Sequence, residues 1–189
     1  MSVSSVAKKL PEYALNIKQN LLSIFVNGNT SLANPQLYGV ALTVGYLLGN
    51  EQLLNAIRAE AKLHLEEVDA KACKIAAVMM SMNNTYYRFA HYTCDPELIN
   101  MPLELYMDSI FNIEVTKSDF EIYCLAASIL NGCQYCVNIH KKKLTDDGIA
   151  MTTIRDIGRV VSVLKATSEV LGIETMRSYD FIARGASFD

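Results

Sequence analysis

The stretch "NGCQYCVNIH", residues 131–140, sets two cysteines three positions apart and a histidine four positions after the second. On an α-helix, Cys133, Cys136 and His140 fall within an arc of ~60°, so all three side chains leave one face. Spacing of i, i+3 brings two cysteine Cα atoms into the ~4.4–6.8 Å range that a disulfide requires, so the pair can close without backbone movement. Asn131 and Gly132 break the preceding helix and put Cys133 in the first turn of the next. There, unpaired N–H groups and the positive end of the helix dipole favour a thiolate. A histidine one turn beyond Cys136 can exchange a proton with that thiol near neutral pH. The pattern suits thiol–disulfide chemistry.

Residue 121 adds a fourth group. The helix expected over "DFEIYCLAASIL", residues 119–130, is apolar on every side except at Glu121 and Ser128. A buried carboxylate is costly without a partner. Seven positions apart, Glu121 and Ser128 share a face, and a reversal at Gly132 would turn that face toward His140. A Glu121, His140, cysteine relay follows: the carboxylate orients and supports the imidazolium that forms as the thiol gives up its proton. By contrast, Lys141 to Lys143 read as a solvated face. Cys73, Cys94 and Cys124 lack basic neighbours at helical spacing and read as core or incidental, as do His64 and His91.

Apolar residues recur at helical spacing almost throughout, which predicts an all-α protein. A first helix is expected from about Ser5 to Phe25, with a break or late start at Pro11. Asn34 and Pro35 read as the cap and first residue of a second, closed by Gly49 and Asn50. Helices over 51–64 and about 68–92 follow, then a connector from Cys94 to Lys117 with one short helix. Ser118 reads as the cap of the Glu121 helix. A second helix carries the cysteines, residues 145–148 turn, and Met151 to Leu171 form a long helix stopped by Gly172. Laying Gly49 over Gly132 suggests a weak internal repeat, about 35–93 and 118–173. It sets Asn50, Leu53 and Ile57 where the second half has Cys133, Cys136 and His140.

The chain of 189 residues suits a single domain, 1–189, large enough to bury roughly 70% of its unfolded surface. A net charge of −3 with both signs interspersed offers no basic face for nucleic acid. No secretory signal and no apolar run of the ~18 residues that span a bilayer can be read, so a cytoplasmic, soluble protein is expected. Five cysteines, an odd count, suit a reducing compartment. No nucleotide or flavin signature is present, so no bound cofactor is expected and electrons must come from another thiol.

At Glu121, Cys133, Cys136 and His140 the sequence resembles the alkylhydroperoxidase D (AhpD) family, whose motif is a glutamate, eleven residues, C-x-x-C, three residues and a histidine. The resemblance extends to "LPEYALNIKQNL" near the N-terminus, "MSMNNTYYR" at 80–88 and "SDFE" at the entry to the motif helix. It implies an all-helical antioxidant enzyme, generally a homotrimer, that reduces hydroperoxides through a Cys133–Cys136 redox disulfide. It also implies a peroxiredoxin partner, AhpC, and electrons from lipoyl groups of dihydrolipoyl acyltransferases, for which dihydrolipoamide can stand in. Members close to this chain can carry a second histidine just before the second cysteine; here that position is Tyr135. With a pKa near ~10, a tyrosine can support by hydrogen bonding but is a poor proton acceptor. Thiol–disulfide exchange is therefore more secure than peroxidase activity. Cys136 is expected to attack peroxide and Cys133 to exchange. Two alternatives are a Cys2His zinc site with Glu121 as fourth ligand, and a redox-inactive relative of the carboxymuconolactone decarboxylases, against which both retained cysteines argue.

Overall fold

The computed structural model describes residues 2–108, 110 and 113–183, and among these every regular element is helical. The first helix, α1 (Val3–Lys9), opens on a reciprocal cap in which the Ser5 amide donates to Ser2 Oγ and the Ser2 amide to Ser5 Oγ. The break expected at Pro11 divides the stretch to Phe25. Pro11 cannot continue α1, a short 3₁₀ turn (Glu12–Ala14) follows, and α2 (Leu15–Phe25) restarts the chain.

Two helices form the middle of the molecule. Residues 37–45 of α3 (Asn34–Leu48) are all buried, as are Phe120 and residues 122–128 of α7 (Lys117–Leu130). A helix apolar on all sides must be surrounded. Accordingly α3 packs on α4 (Glu51–Ala61), α5 (Glu67–Tyr92), α7 and the last helix. Gly39 permits the α3–α7 approach, because a Cβ there would run into the Tyr123 ring. The cap of α3 is Ala33 rather than Asn34, and that of α7 is Thr116 rather than Ser118. Thr116 Oγ1 accepts from the Asp119 amide at 3.1 Å, whereas the Ser118 hydroxyl donates to Asp147.

The connector holds α6 (Pro96–Asn100), as expected; its residues 109, 111 and 112 lie outside the described residues. After it, α7 is followed by α8 (Gln134–Asp146) and α9 (Met151–Ala183). α9 does not stop at Gly172. That glycine does not take the left-handed conformation that Gly132 adopts, so the helix runs through it. Kept helical, a glycine costs a helix only ~1 kcal/mol. The order α3, α4, α5 matches α7, α8, α9. Gly49 (φ 66°) and Gly132 (φ 68°) both make the left-handed reversal. Asn50 Oδ1 and Cys133 Sγ both cap the next helix by accepting the amide three residues on.

Asp156 on α9 fastens the loop after α2. Its carboxylate accepts the Ser31 amide at 2.7 Å and the Ser31 hydroxyl at 2.9 Å, and pairs with Arg155 and Arg159. Burial alone would push this carboxyl up, but the Ser31 and arginine donors outweigh it and hold it well below the usual range. A depressed carboxyl contributes stability above its unfolded pKa of ~3.9 and loses it as pH falls through the lower folded value. Asp156→Asn is expected to cost about 1–3 kcal/mol. In denaturant titrations the gap from wild type should be constant near neutral pH and narrow only below about pH 4.

Candidate functional site

The reversal at Gly132 lays α8 back along α7. Cys133 is the N-cap of α8, one step earlier than the first-turn position expected, and its sulfur accepts the Cys136 amide at 3.3 Å. Cys133 and Cys136 are paired as a disulfide with a Cα–Cα distance of 5.4 Å. Cys133 has no exposed surface and Cys136 is 5% exposed.

One turn further, His140 Nδ1 lies 2.5 Å from Glu121 Oε2. Both side chains are largely buried. The other carboxylate oxygen, Oε1, accepts from Lys143 Nζ at 2.6 Å. Burial raises the Glu121 carboxyl, but the hydrogen bonds and charges of His140 and Lys143 outweigh it and hold the group below its ordinary value. Against an ionised carboxylate, Nδ1 must be the donor. This leaves Nε2 of a neutral His140 as the basic nitrogen. Glu121, His140 and Cys136 line a common cavity of about 220 Å³ whose other walls include Met80, Phe120 and Ile139. The arrangement can accept a thiol proton at His140 and support the resulting imidazolium with a carboxylate, in an apolar setting.

One expectation needs correction: Ser128 does not face His140. Although Ser128 and Glu121 share an angular position, two helical turns separate them by ~10 Å along the axis. The Ser128 hydroxyl instead donates to Asn84 Oδ1 on α5, and its carbonyl accepts the Cys133 amide. Its place is under the helix reversal. The lysine run is exposed, as expected, but its members differ in partner: Lys142 pairs with Asp146, while Lys143 reaches to Glu121. Sequence reasoning missed this lysine; the signal was its distance from Gly132, eleven residues after it as Glu121 is eleven before.

Tyr135, 37% exposed, is held by α5. Its ring stacks on His91 at 4.1 Å and lies 5.0 Å from the Tyr87 ring. His91, set aside as incidental, therefore sits beside the cysteine pair; Tyr87 and His91 share a face at i, i+4, but nothing local shows that this face meets α8. Nearby, Arg88 donates to the Asn131 carbonyl at 2.5 Å, at the C-terminal end of α7.

The other thiols differ from the pair. Burial pushes Cys73 up to about 12, and its S–H donates to the Gly39 carbonyl. Cys124, in the wall of the Cys136 cavity, is fully buried and burial holds it well above the ordinary thiol value. Cys94 is exposed. His64 stacks on Tyr38, far from the pair in the chain, and joins no part of this site. The zinc reading finds no support: no group of three or more metal-ligating side chains occurs among the described residues, and Glu121 is already engaged by His140 and Lys143.

Residues 96–172 match the carboxymuconolactone decarboxylase family. The chain is 40% identical over 167 residues to alkyl hydroperoxide reductase AhpD of Coxiella burnetii (strain RSA 493 / Nine Mile phase I), covering 88% of this chain and 94% of that one. It is 35% identical over 178 residues to the protein of the same name from Rhodospirillum centenum, covering 94% and 95%. Against that of Maricaulis maris it is 35% identical over 175 residues, 93% of this chain and the whole of the other.

Glu121→Gln tests the relay. Glutamine keeps the volume and can hydrogen-bond, so the chain should fold, but the charge that supports a protonated His140 is lost. Thiol reactivity should fall by roughly 10²–10⁴-fold and the pH profile of Cys136 alkylation should move upward. The Glu121 carboxyl is depressed, so the stability it contributes is present above ~4.3 and lost as pH falls through the folded value. An unshifted alkylation profile with full reactivity would remove Glu121 from the chemistry.

Proposed function

The chain belongs to the alkyl hydroperoxide reductase AhpD family, and on that footing we propose that it reduces organic hydroperoxides through the Cys133–Cys136 pair, activated by Glu121 and His140. The observation that carries the reading is the 2.5 Å contact between Glu121 and His140 beside Cys136 in one cavity. Nε2 of His140 takes the Cys136 thiol proton. The thiolate attacks the terminal oxygen of the hydroperoxide, the O–O bond breaks, and the alkoxide leaves with the proton from His140 as an alcohol. Cys136 is then a sulfenic acid. Cys133 attacks its sulfur, the S–S bond forms, and water departs with the Cys133 proton.

The buried setting supports this order. Cys136 shares the cavity with His140 and with apolar walls that suit an alkyl group, whereas Cys133 lies at the helix start as the partner sulfur. No nucleotide-binding signature supplies electrons, so an external dithiol must reset the pair. We assign that part to a lipoyl group of a dihydrolipoyl acyltransferase, with the peroxiredoxin AhpC as a further thiol–disulfide partner. A cytoplasmic location follows from the need for such a donor; no described helix is long and apolar enough to cross a membrane.

A homotrimer is the proposed assembly. Val78, Phe89 and Tyr92 are exposed apolar side chains of α5, 66%, 54% and 76% accessible. Exposed apolar side chains are what a symmetric partner would cover. Light scattering should return a mass near three times 21.0 kDa at micromolar concentration; a stable monomer would refute it.

Activity is tested by following consumption of cumene hydroperoxide with dihydrolipoamide as reductant. Wild type should turn over. Cys133→Ser and Cys136→Ser should each abolish turnover, while Cys94→Ser, at an exposed thiol, should retain it. Equal activity in all four proteins would refute the assignment.

A further inference from the structure

The stretch "MSMNNTYYR", residues 80–88, lies within α5, and the proton relay uses none of it. Met80, Asn83 and Tyr87 recur at i, i+3 and i+7, which places them on one face of the helix. All three wall the cavity of about 220 Å³ that also holds Glu121, Cys136 and His140.

The two asparagines of the stretch, adjacent in the chain, are used differently. Asn84 has no exposed surface, and its Oδ1 accepts the Ser128 hydroxyl at 3.1 Å beneath the helix reversal. Asn83 is 7% exposed. Its Nδ2 donates to the Met107 sulfur on the connector at 3.3 Å, which ties down one end of the amide. Its Oδ1 is buried and meets no hydrogen-bond donor among the described residues. A buried acceptor in that state is costly. Thr43, Asn84 and Asn131 also carry a buried polar atom without a partner, but none of them belongs to the cavity wall. The carboxylate in that wall, Glu121, is already engaged by His140 and Lys143. Asn83 therefore brings a free acceptor to the place where Cys136 reacts.

We propose that Asn83 binds the hydroperoxide, its Oδ1 accepting the O–H of the terminal oxygen that Cys136 attacks. This rests on the hydroperoxide reading above. The substrate is held between α5, which takes its proton-bearing oxygen, and α8, which brings the thiolate, with the alkyl group against Phe120 and Ile139. The S–O bond forms between Cys136 and the terminal oxygen as the O–O bond breaks, and the alkoxide leaves as the alcohol with the proton from His140. The proton bonded to Asn83 is not transferred. It stays on the oxygen that Cys136 now carries, as the hydroxyl of the sulfenic acid. A dialkyl peroxide has no such proton to offer.

Reduced wild type and Asn83→Leu are mixed with cumene hydroperoxide and, separately, with methyl methanethiosulfonate, a thiol reagent with no O–H or N–H to donate. Both reactions need the thiolate, and only the first needs the acceptor. In Asn83→Leu the hydroperoxide to thiosulfonate rate ratio should fall roughly three- to tenfold, the worth of one neutral hydrogen bond, while the thiosulfonate rate itself changes by less than about twofold. The pH midpoint of the thiosulfonate reaction should stay in place, because the relay is intact. Asn83→Ala removes the same amide without a branched side chain; it should give the same ratio and decides the matter if the leucine variant does not fold. An unchanged ratio, or both reactions slowed alike with a lowered melting temperature, overturns the role and leaves Asn83 structural. Wild type that reacts with the thiosulfonate but not with the hydroperoxide would refute the proposed function itself. Wild type that reacts with both, with the ratio kept in the variants, refutes the role of Asn83 alone.

Discussion

The site depends on a single backbone reversal. A carboxylate on α7 and an imidazole on α8 stand nineteen positions apart in the chain and meet because Gly132 adopts a φ of 68°, a conformation that a side chain at that position would strain. From that point the two helices run back along each other, and equal distances from the turn come into register. Lys143 lies as far beyond Gly132 as Glu121 lies before it, and His140 is one turn nearer. The carboxylate therefore meets both, one through each oxygen. The same reversal makes Cys133 the N-cap, so its sulfur also satisfies a backbone donor that would otherwise lack a partner.

The two partners of Glu121 do different things. His140 is even more buried than the carboxylate, so their contact is little weakened by solvent. Lys143 is 53% exposed, and an ion pair with so exposed a member adds little to stability. Its value lies in charge. Burial alone would favour a protonated Glu121, which could not support an imidazolium. A second cation on the free oxygen helps keep the group ionised without occupying the oxygen that holds Nδ1.

The local parts of this arrangement were legible in the sequence because their causes are local. Cysteine spacing, the Gly49 and Gly132 breaks, the Pro11 interruption and the apolar character of α7 all follow from residues within a few positions. Glu121 was legible because a lone carboxylate in an apolar helix needs a partner. What could not be read depends on which helix lies alongside. Ser128 satisfies the same face rule as Glu121, yet α5 supplies its partner through Asn84. His91 matters through contact with Tyr135, across forty-four positions of chain. Gly172 reads as a stop, but it does not take the left-handed conformation that ends a helix, and α9 runs through it.

Five thiols share this chain, and selectivity among them is a problem of solvation and position. The thiolate is the reactive form, so a thiol that cannot ionise is protected whatever lies near it. Cys124 shows this most directly. It lines the same cavity as Cys136, close to the carboxylate of Glu121, and both its burial and that negative charge oppose ionisation. Cys136 lines the same cavity from α8, in the first turn that Cys133 Sγ caps by accepting the Cys136 amide, with an imidazole one turn on. Two cysteines bordering one cavity thus have different neighbours on the helices that carry them. The carboxylate that opposes ionisation of Cys124 is the one that, in the proposed relay, would support an imidazolium serving Cys136.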